Sequence, residues 1–223
     1  MLKAVVFDLD GVIVKFNLDS RRIKEDVISF FVKNGLPEGL LSPIQPFSQI
    51  RDKVRETFSE MGMMHSSIED LVKNAEKIPI EYEVKAAYQT HLLPDVKDIL
   101  LLLKLMGLKL AIFTYNNSKA TSIALNENGL KGVFNAIVAR DMVTNPKPNP
   151  IHLEAVLKEL GVSKEDAIVV GDSEMDIKPS KDLGVKVVAI ASGIRTAEEL
   201  KAFNPDYLIL SISELKEIVK ALY

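Results

Sequence analysis

The sequence predicts a doubly wound, parallel α/β sheet that a helical insertion interrupts near its start. Two patterns support this fold class. From about residue 95 onward, short apolar runs typical of buried strands alternate with amphipathic segments of helical length. Between residues 15 and 92, in contrast, helical patterns follow one another with no convincing strand between them. Because strands that alternate with helices are joined by right-handed crossovers, the first pattern predicts a Rossmann-like parallel sheet.

The elements of the α/β part can be placed one after another. A glycine after the last apolar position is expected to end each of four helices: Gly107, Gly129, Gly161 and Gly184. The predicted helices are 95–106, 118–128, 150–160, 174–183, 196–203 and 213–222. The predicted strands are 4–7, 108–113, 134–139, 167–170, 185–190 and 207–210.

The insertion consists of helical patterns separated by glycines and prolines. These patterns lie near 18–34, 47–61, 67–77 and 80–91. We therefore predict an α/β core domain at residues 1–14 and 93–223 and a small all-helical cap domain at 15–92. Two connections at neighbouring points of the core form a natural hinge, so the inserted domain is expected to act as a lid.

Composition narrows the function classes. The net charge is −3 and the pI is about 5.7, so we expect no nucleic acid and no membrane as partner. The chain has no cysteine, which excludes disulfides, thiolate nucleophiles and zinc–thiolate sites. The apolar stretch 99–103 is too short to span a membrane, and the start of the chain lacks the pattern of a signal peptide. A cytoplasmic monomer or homodimer is the expectation.

Four carboxylates follow two of the predicted strands. Asp8 and Asp10 come directly after strand 4–7, and Asp172 and Asp176 come shortly after strand 167–170. Ligands of open α/β sheets bind at the carboxyl ends of the strands, so these acids are expected to face one pocket. Clustered carboxylates repel each other unless a cation lies among them, and oxygen ligands favour Mg²⁺. The pattern therefore predicts metal-assisted chemistry on an anionic substrate.

Four motifs in a fixed order resemble those of the haloacid dehalogenase-like hydrolase superfamily. They are Asp8-Leu9-Asp10-Gly11-Val12, Ala111-Ile112-Phe113-Thr114, Lys147-Pro148-Asn149-Pro150 and Gly171-Asp172-Ser173-Glu174-Met175-Asp176. The resemblance covers nearly the whole chain and is strongest to the helical-cap branch, which includes phosphoglycolate phosphatases and β-phosphoglucomutases. It implies a Mg²⁺-dependent phosphatase that hydrolyses a small phosphorylated metabolite through an aspartyl-phosphate. A phosphomutase of the β-phosphoglucomutase kind is the alternative, because its first step is the same.

The resemblance implies roles for the four acids. Asp8 is the expected nucleophile, and Asp10 the expected general acid and then general base. The family's dehalogenases lack an acid at the position of Asp10, so its presence favours phosphate transfer. Asp8, Asp172 and the backbone carbonyl of Asp10 are the expected metal ligands. Asp176 is expected to orient a water or Lys147.

Phosphate binding is expected from the second and third motifs. The Thr114 hydroxyl and the N–H groups of Tyr115 and Asn116 would contact the phosphate at a helix start. Lys147 would pair with the phosphate and with Asp8. The alternatives are a plain strand-end threonine and a solvated lysine. Tyr115 departs from the family pattern, in which a small or polar residue is more usual, and the role of the Asn116 side chain stays open.

Other features leave the substrate undetermined. None of the three histidines has metal-ligand spacing with another, so packing roles are expected for all of them: His65, His91 and His152. Five basic residues of the insertion would either bind a second anionic group or lie on solvated helix faces: Arg21, Arg22, Arg51, Lys53 and Arg55. A non-catalytic binding protein is a third hypothesis, which the presence of Asp8, Asp10 and Lys147 disfavours.

Overall fold

The computed structural model describes residues 1–15 and 17–223, and the chain divides into two compact units. The first unit comprises Met1–Phe16 and Ala87–Tyr223, and the second comprises Asn17–Ala86. Phe16 belongs to the stretch where the sequence predicts the start of the insertion, and it lies outside the described residues. The function of the second unit as a cap stays a prediction.

The first unit is built on a parallel sheet. The strands in chain order are β1 (Ala4–Phe7), β2 (Val14–Lys15), β3 (His91–Leu92), β4 (Lys109–Thr114), β5 (Ala136–Ala139), β6 (Ala167–Gly171), β7 (Lys186–Ile190) and β8 (Tyr207–Ile209). Six of them form one sheet in the order β5-β4-β1-β6-β7-β8, and every neighbouring pair is parallel. The predicted α/β fold class is therefore confirmed.

Helices connect these strands and make up the second unit. In chain order they are α1 (Ser20–Lys33), α2 (Phe47–Glu60), α3 (His65–Ala75), α4 (Lys77–Ala87), α5 (Val96–Leu105), α6 (Ser118–Glu127), α7 (Pro150–Leu160), α8 (Glu174–Leu183), α9 (Ala197–Lys201) and α10 (Leu215–Leu222). The helices α1 to α3, and α4 up to its last residue, lie in the second unit. Described strands occur in the first unit alone.

The register of the central strands aligns their carboxyl ends. Phe7, the last residue of β1, pairs with Ile112 of β4 and with Val170 of β6. The winding reverses around β1, because β4 and β5 lie on one side of it and β6, β7 and β8 on the other. Such a reversal opens a crevice at the carboxyl end of the sheet, where ligands bind in folds of this kind.

The sheet is buried on both faces, as parallel sheets require. All four residues of β1 are fully buried. One face packs in a cluster that includes Val6, Phe113 and Val169 from the strands with Leu153 and Ile177 from the helices. The apolar runs predicted as strands thus form the core, and the polar residues that follow them are left at the rim.

The predicted helix 80–91 is wrong at its end. The pattern predicts a helix through residue 91, but α4 ends at Ala87, and His91 lies in β3. There, β3 pairs antiparallel with β2, with Val14 opposite Leu92. Strands of two residues are too short to show a period of two in the sequence, so the pattern could not reveal them. This two-stranded ribbon lies where the chain leaves the sheet and where it returns.

The second unit has its own apolar core. On α2, Ile50, Val54 and Phe58 recur every four residues and pack in one cluster with Phe31 of α1 and Ile68 of α3. Arg55 donates two hydrogen bonds, of 2.7 and 3.0 Å, to the Glu69 carboxylate and so joins α2 to α3.

All five basic residues singled out from the sequence pair with acids of the same unit. The pairs are Arg21–Glu25, Arg22–Asp26, Arg51–Glu76, Lys53–Glu56 and Arg55–Glu69. This arrangement favours the interpretation that they lie on solvated helix faces. Within the described ranges, 1–15 and 17–223, no helix has the length and apolar character that a membrane crossing needs.

We expect Phe58→Ala to destabilise the second unit by about 3–5 kcal/mol, because the variant leaves a cavity in place of a side chain that is fully buried. The matched control is Ile44→Ala, at a residue 89% exposed in the same unit, which should change stability by less than about 0.5 kcal/mol. Urea unfolding followed by circular dichroism measures both. Equal midpoints for the two variants would contradict the assignment of this core.

Candidate active site

The four sequence motifs meet at the carboxyl end of the sheet. Asp8 follows β1, Thr114 ends β4, and Asp172 follows β6. Lys147 reaches the same place from the loop before α7, and its ammonium contacts Asp8 directly. The side chains are buried although they are polar, since Asp8 is 8% exposed and Lys147 3%. A buried charge is stable only when it has a partner, so the contacts of these side chains show how the site is arranged.

The turn after β1 is closed by hydrogen bonds of its own residues. The Leu9 N–H donates to Asp8 Oδ1 at 2.7 Å, and the Ile13 N–H donates to the Leu9 carbonyl at 3.0 Å. Gly11 has φ of 74°, in the left-handed region that favours glycine. A Cβ on Gly11 would also overlap with the Asp172 carboxylate, so the turn needs a glycine for space as well as for conformation.

Lys147 lies between two carboxylates. Its Nζ is 2.9 Å from Asp8 Oδ1 and 2.5 Å from Asp176 Oδ1. The same Nζ lies 4.2 Å from the centre of the Phe113 ring, a distance at which a cation is attracted to an aromatic face. Burial alone would lower the pKa of the Lys147 ammonium, but Asp176 and Asp8 outweigh it and the pKa is raised. The lysine is therefore held in its charged form.

Three acids form a cluster with the donor set of a metal site. Asp8, Asp172 and Asp176 each contribute one carboxylate oxygen, and these oxygens lie within 4.8 Å of one another. Burial, with repulsion from Asp176, raises the pKa of Asp172 to about 6. Burial also raises the pKa of Asp8, against the attraction of Lys147 and with added repulsion from the other acids. A divalent cation would relieve both effects, so the residues fit a site for a hard cation.

Asp176 is bound on both of its oxygens within the protein. Its Oδ1 accepts from Lys147, and its Oδ2 accepts from the Ser173 N–H at 3.2 Å and the Ser173 hydroxyl at 2.8 Å. The second set of bonds caps the start of α8. Gly171 packs so closely on this carboxylate that a Cβ there would overlap with it. Asp176 is thereby held against Lys147. Its predicted role, to orient a water or Lys147, stays a prediction.

The segment after β4 is ordered by hydrogen bonds of its own. The Asn116 N–H donates to Thr114 Oγ1 at 3.1 Å, so this predicted phosphate donor has a partner inside the protein. The Asn116 side chain donates from Nδ2 to Asp10 Oδ2 at 3.1 Å. Asn117 caps α6 by accepting from the Ala120 N–H, and Tyr115 is 40% exposed. The contact of Thr114 and Tyr115 with phosphate stays a prediction.

Comparison with known proteins assigns the family. Residues 5–190 match the family described as haloacid dehalogenase-like hydrolase. The chain belongs to this family. The family resemblance drawn from the four sequence motifs is therefore confirmed, and the protein is a hydrolase of that family.

Individual relatives extend the comparison. The chain is 27% identical to a phosphoglycolate phosphatase of Vibrio parahaemolyticus over 98% of this chain and 96% of that protein. It is 41% identical to pyrophosphatase PpaX of Halalkalibacterium halodurans over 113 residues, which are 51% of this chain and 53% of the relative. A β-phosphoglucomutase structure from Clostridium difficile superposes with a TM-score of 0.68 at 18% identity, covering 97% of this chain and 96% of that one. At this identity the structure shows a shared fold alone.

His152 is a site residue that the sequence analysis missed. Its Nδ1 accepts from the Lys147 N–H at 3.1 Å, and its Nε2 lies 3.1 Å from the Val138 carbonyl. The ring also packs edge-on against Phe113. Burial lowers the pKa of His152 to about 4, so the imidazole is neutral and can serve as acceptor and donor at once. The sequence did offer one signal for this role, because His152 lies five residues after Lys147 and in the first turn of α7.

The loop after β7 is the other missed part of the site. The Ser192 hydroxyl donates to the Gly11 carbonyl at 2.6 Å, and the Ile194 N–H donates to Asp172 Oδ2 at 3.0 Å. Gly193 lies against the same carboxylate, where a Cβ would overlap with it. The position of this loop, directly after a predicted parallel strand, could have indicated that it reaches the site.

Glu174 forms an ion pair with Arg195 of the loop after β7. Its carboxylate accepts two hydrogen bonds from Arg195, of 2.7 and 3.0 Å. Pairing with Arg195 lowers the pKa of Glu174. This contact joins the start of α8 to the loop after β7, so Glu174 has a bridging role between two segments of the site.

The buried His152 predicts acid sensitivity of the fold. Its folded pKa of about 4 lies below the ordinary value of 6.5, so the unfolded chain binds more protons between these values. The histidine therefore lowers the free energy of unfolding as the pH falls below about 6.5. Relative to His152→Asn, the wild type should lose about 2 kcal/mol between pH 8 and pH 5. Urea unfolding at both pH values measures this difference, and a difference that does not change with pH would contradict the neutral, buried imidazole.

Proposed function

We propose that the protein is a Mg²⁺-dependent phosphatase that hydrolyses a small phosphorylated metabolite. The observation that carries the proposal is the buried Lys147 ammonium in contact with Asp8, in a cluster that also contains Asp172 and Asp176. A carboxylate beside a fixed cation at the carboxyl end of the sheet suits attack on a dianionic phosphoryl group. The phosphatase names of the relatives support the same reaction class.

Asp8 is the proposed nucleophile. Its Oδ1 is engaged by the Leu9 N–H and by Lys147, which leaves Oδ2 to attack phosphorus. Attack breaks the bond from phosphorus to the leaving oxygen and forms an aspartyl-phosphate, which water then hydrolyses. Lys147 balances negative charge on Asp8 and on the transferring group throughout, which is the main task of the protein in phosphoryl transfer.

Asp10 is the proposed general acid and base. It follows Asp8 by two residues and is half-buried. In the first step it would give a proton to the leaving alkoxide, and in the second step it would take one from the attacking water. Its carboxylate is held by Asn116, as described above, so the group that moves the proton has a defined orientation.

Mg²⁺ is the proposed cofactor. When bound, it would neutralise charge on the phosphoryl group and hold that group in line with the nucleophile. Asp8 and Asp172 would provide carboxylate oxygens for it, with the Asp10 carbonyl as the family resemblance implies. The Ile194 N–H, on the Asp172 Oδ2 atom, fixes the orientation of that ligand.

The proposed substrates are small phosphomonoesters such as phosphoglycolate or a sugar phosphate. The phosphoglycolate phosphatase relative covers nearly the whole chain and favours the first of these. Inorganic pyrophosphate is a second candidate, since the relative with 41% identity over 113 residues is named a pyrophosphatase. A β-phosphoglucomutase-like reaction is the alternative inside the same fold.

A substrate panel tests the proposal. Phosphate release is measured with phosphoglycolate, hexose phosphates and pyrophosphate, with Mg²⁺ and then with EDTA. Strong release that EDTA abolishes supports a metal-dependent phosphatase and ranks the substrates. Conversion of a hexose 1-phosphate to its 6-phosphate without release would replace the phosphatase by the mutase. Neither reaction with any member of the panel would contradict both.

Asp8→Asn should abolish turnover with a loss of at least about a thousandfold, because an amide is not a competent nucleophile. The fold should survive, since Lys147 keeps its contact with Asp176 and the amide oxygen can still accept from the Leu9 N–H. Phosphate release and thermal unfolding measure the two effects. Asp182→Asn, at an exposed acid of α8, is the control that should keep full activity. Substantial turnover by clean Asp8→Asn protein would remove Asp8 from the proposed role.

Mg²⁺ should stabilise the wild type against heat, by about 2.7 kcal/mol at a hundred times its dissociation constant. Asp172→Asn should lose most of this stabilisation, although its amide oxygen can still accept from the Ile194 N–H. A thermal shift titration with MgCl₂ measures the effect without substrate. Asp182→Asn is again the control, and an unchanged Mg²⁺ response in Asp172→Asn would contradict the proposed ligand.

A further inference from the structure

The Asn116 side chain connects two motifs that lie far apart in the sequence. Its Nδ2 donates to Asp10 Oδ2 at 3.1 Å across a separation of 106 residues. Asn116 is 5% exposed, so this amide is desolvated and depends on protein acceptors. Asp10 Oδ1 is also buried. The contact therefore lies inside the site.

The backbone of Asn116 is fixed on both sides. Its N–H donates to Thr114 Oγ1, and its carbonyl accepts from the Arg140 N–H at 3.2 Å. Arg140 follows β5 directly, and its Nη1 donates to the Tyr115 carbonyl at 2.7 Å. The Arg140 guanidinium also lies over the Tyr115 ring, 5.6 Å from its centre. The end of β5 thus supports the segment that carries the amide.

We propose that Asn116 is a positioning residue for the Asp10 carboxyl and that Arg140 maintains the position of Asn116. The inference rests on the proposed function, in which Asp10 moves the proton of the leaving group. An N–H donor on Oδ2 holds that oxygen as an acceptor and restricts rotation of the carboxyl group.

This role makes a prediction that depends on the leaving group. An alkoxide needs a proton in the transition state, whereas 4-nitrophenolate leaves without one. Loss of the Asn116 amide should therefore slow hydrolysis of alkyl phosphates far more than hydrolysis of 4-nitrophenyl phosphate. A residue that only supports the fold would slow both to the same extent, because both use Asp8 and Lys147.

The experiment compares kcat/KM for two substrates in four variants with Mg²⁺ present. The substrates are 4-nitrophenyl phosphate and the alkyl phosphate of the panel above that the wild type hydrolyses fastest. For Asn116→Ala we expect a loss of about tenfold to a hundredfold with the alkyl phosphate, since general acid catalysis contributes about 10²–10⁴-fold. The loss with 4-nitrophenyl phosphate should stay below about threefold. Arg140→Ala should show the same preference with a smaller loss.

Two further variants separate the explanations. Asp10→Asn should show the largest preference for 4-nitrophenyl phosphate. Asn128→Ala is the matched control, because the Asn128 amide donates to Thr90 and to the Ala124 carbonyl in the same unit. It removes a comparable amide, and any loss should be equal for the two substrates.

The outcomes are distinct. Equal losses in Asn116→Ala, with unequal losses in Asp10→Asn, would overturn the inference and leave the proposed function intact. Equal losses in Asp10→Asn would remove the acid role of Asp10 from the proposed function, and the inference with it. Thermal unfolding checks that each variant is folded. If Asn116→Ala does not fold, Asn116→Ser, which also lacks the Nδ2 donor to Asp10, decides in the same way.

Discussion

The ammonium of Lys147, buried between Asp8 and Asp176, is the interaction on which the rest of the site depends. Removing one partner of a buried ion pair leaves a charge without compensation, which destabilises a protein strongly. One ammonium among three clustered carboxylates still leaves an excess of negative charge. The same arrangement therefore holds the lysine in its charged form and leaves a negative charge that the proposed Mg²⁺ would balance. The charged state of Lys147 and the proposed metal binding therefore have the same electrostatic cause, the cluster of buried carboxylates.

Close packing of carboxylates on backbone is the second constraint. Gly11 and Gly193 lie against Asp172, and Gly171 lies against Asp176, with no room for a Cβ at any of them. The backbone at these three glycines lies directly against the carboxylates of Asp172 and Asp176, so both acids fit into the buried site. Two of the glycines belong to motifs that the sequence shows plainly, and the third lies in the loop after β7, which pattern alone did not connect to the site. A glycine here acts by leaving volume to a functional side chain.

The sheet and its helices could be predicted because their signals are local. Helices 150–160 and 174–183 match the structure at both ends, since each ends before a glycine that adopts a left-handed conformation. The ribbon of β2 and β3 and the contacts of Asn116 and Ser192 could not be predicted in this way. They join residues far apart in the chain, at 106 and 181 positions for the two side chains. Such contacts depend on how loops meet at the sheet edge, which periodicity does not encode.

The ribbon has a consequence for how such a chain can vary. Val14 pairs with Leu92, and Lys15 pairs with His91, in an antiparallel register. Residues opposite each other in such a ribbon have Cα atoms about 4.5–5.5 Å apart, a gap that a two-residue turn spans. The sheet could thus be made on a continuous chain in which a tight turn joins Lys15 to His91. The ribbon is a junction at which inserts of different length can be exchanged while the strands that carry the acids keep their register.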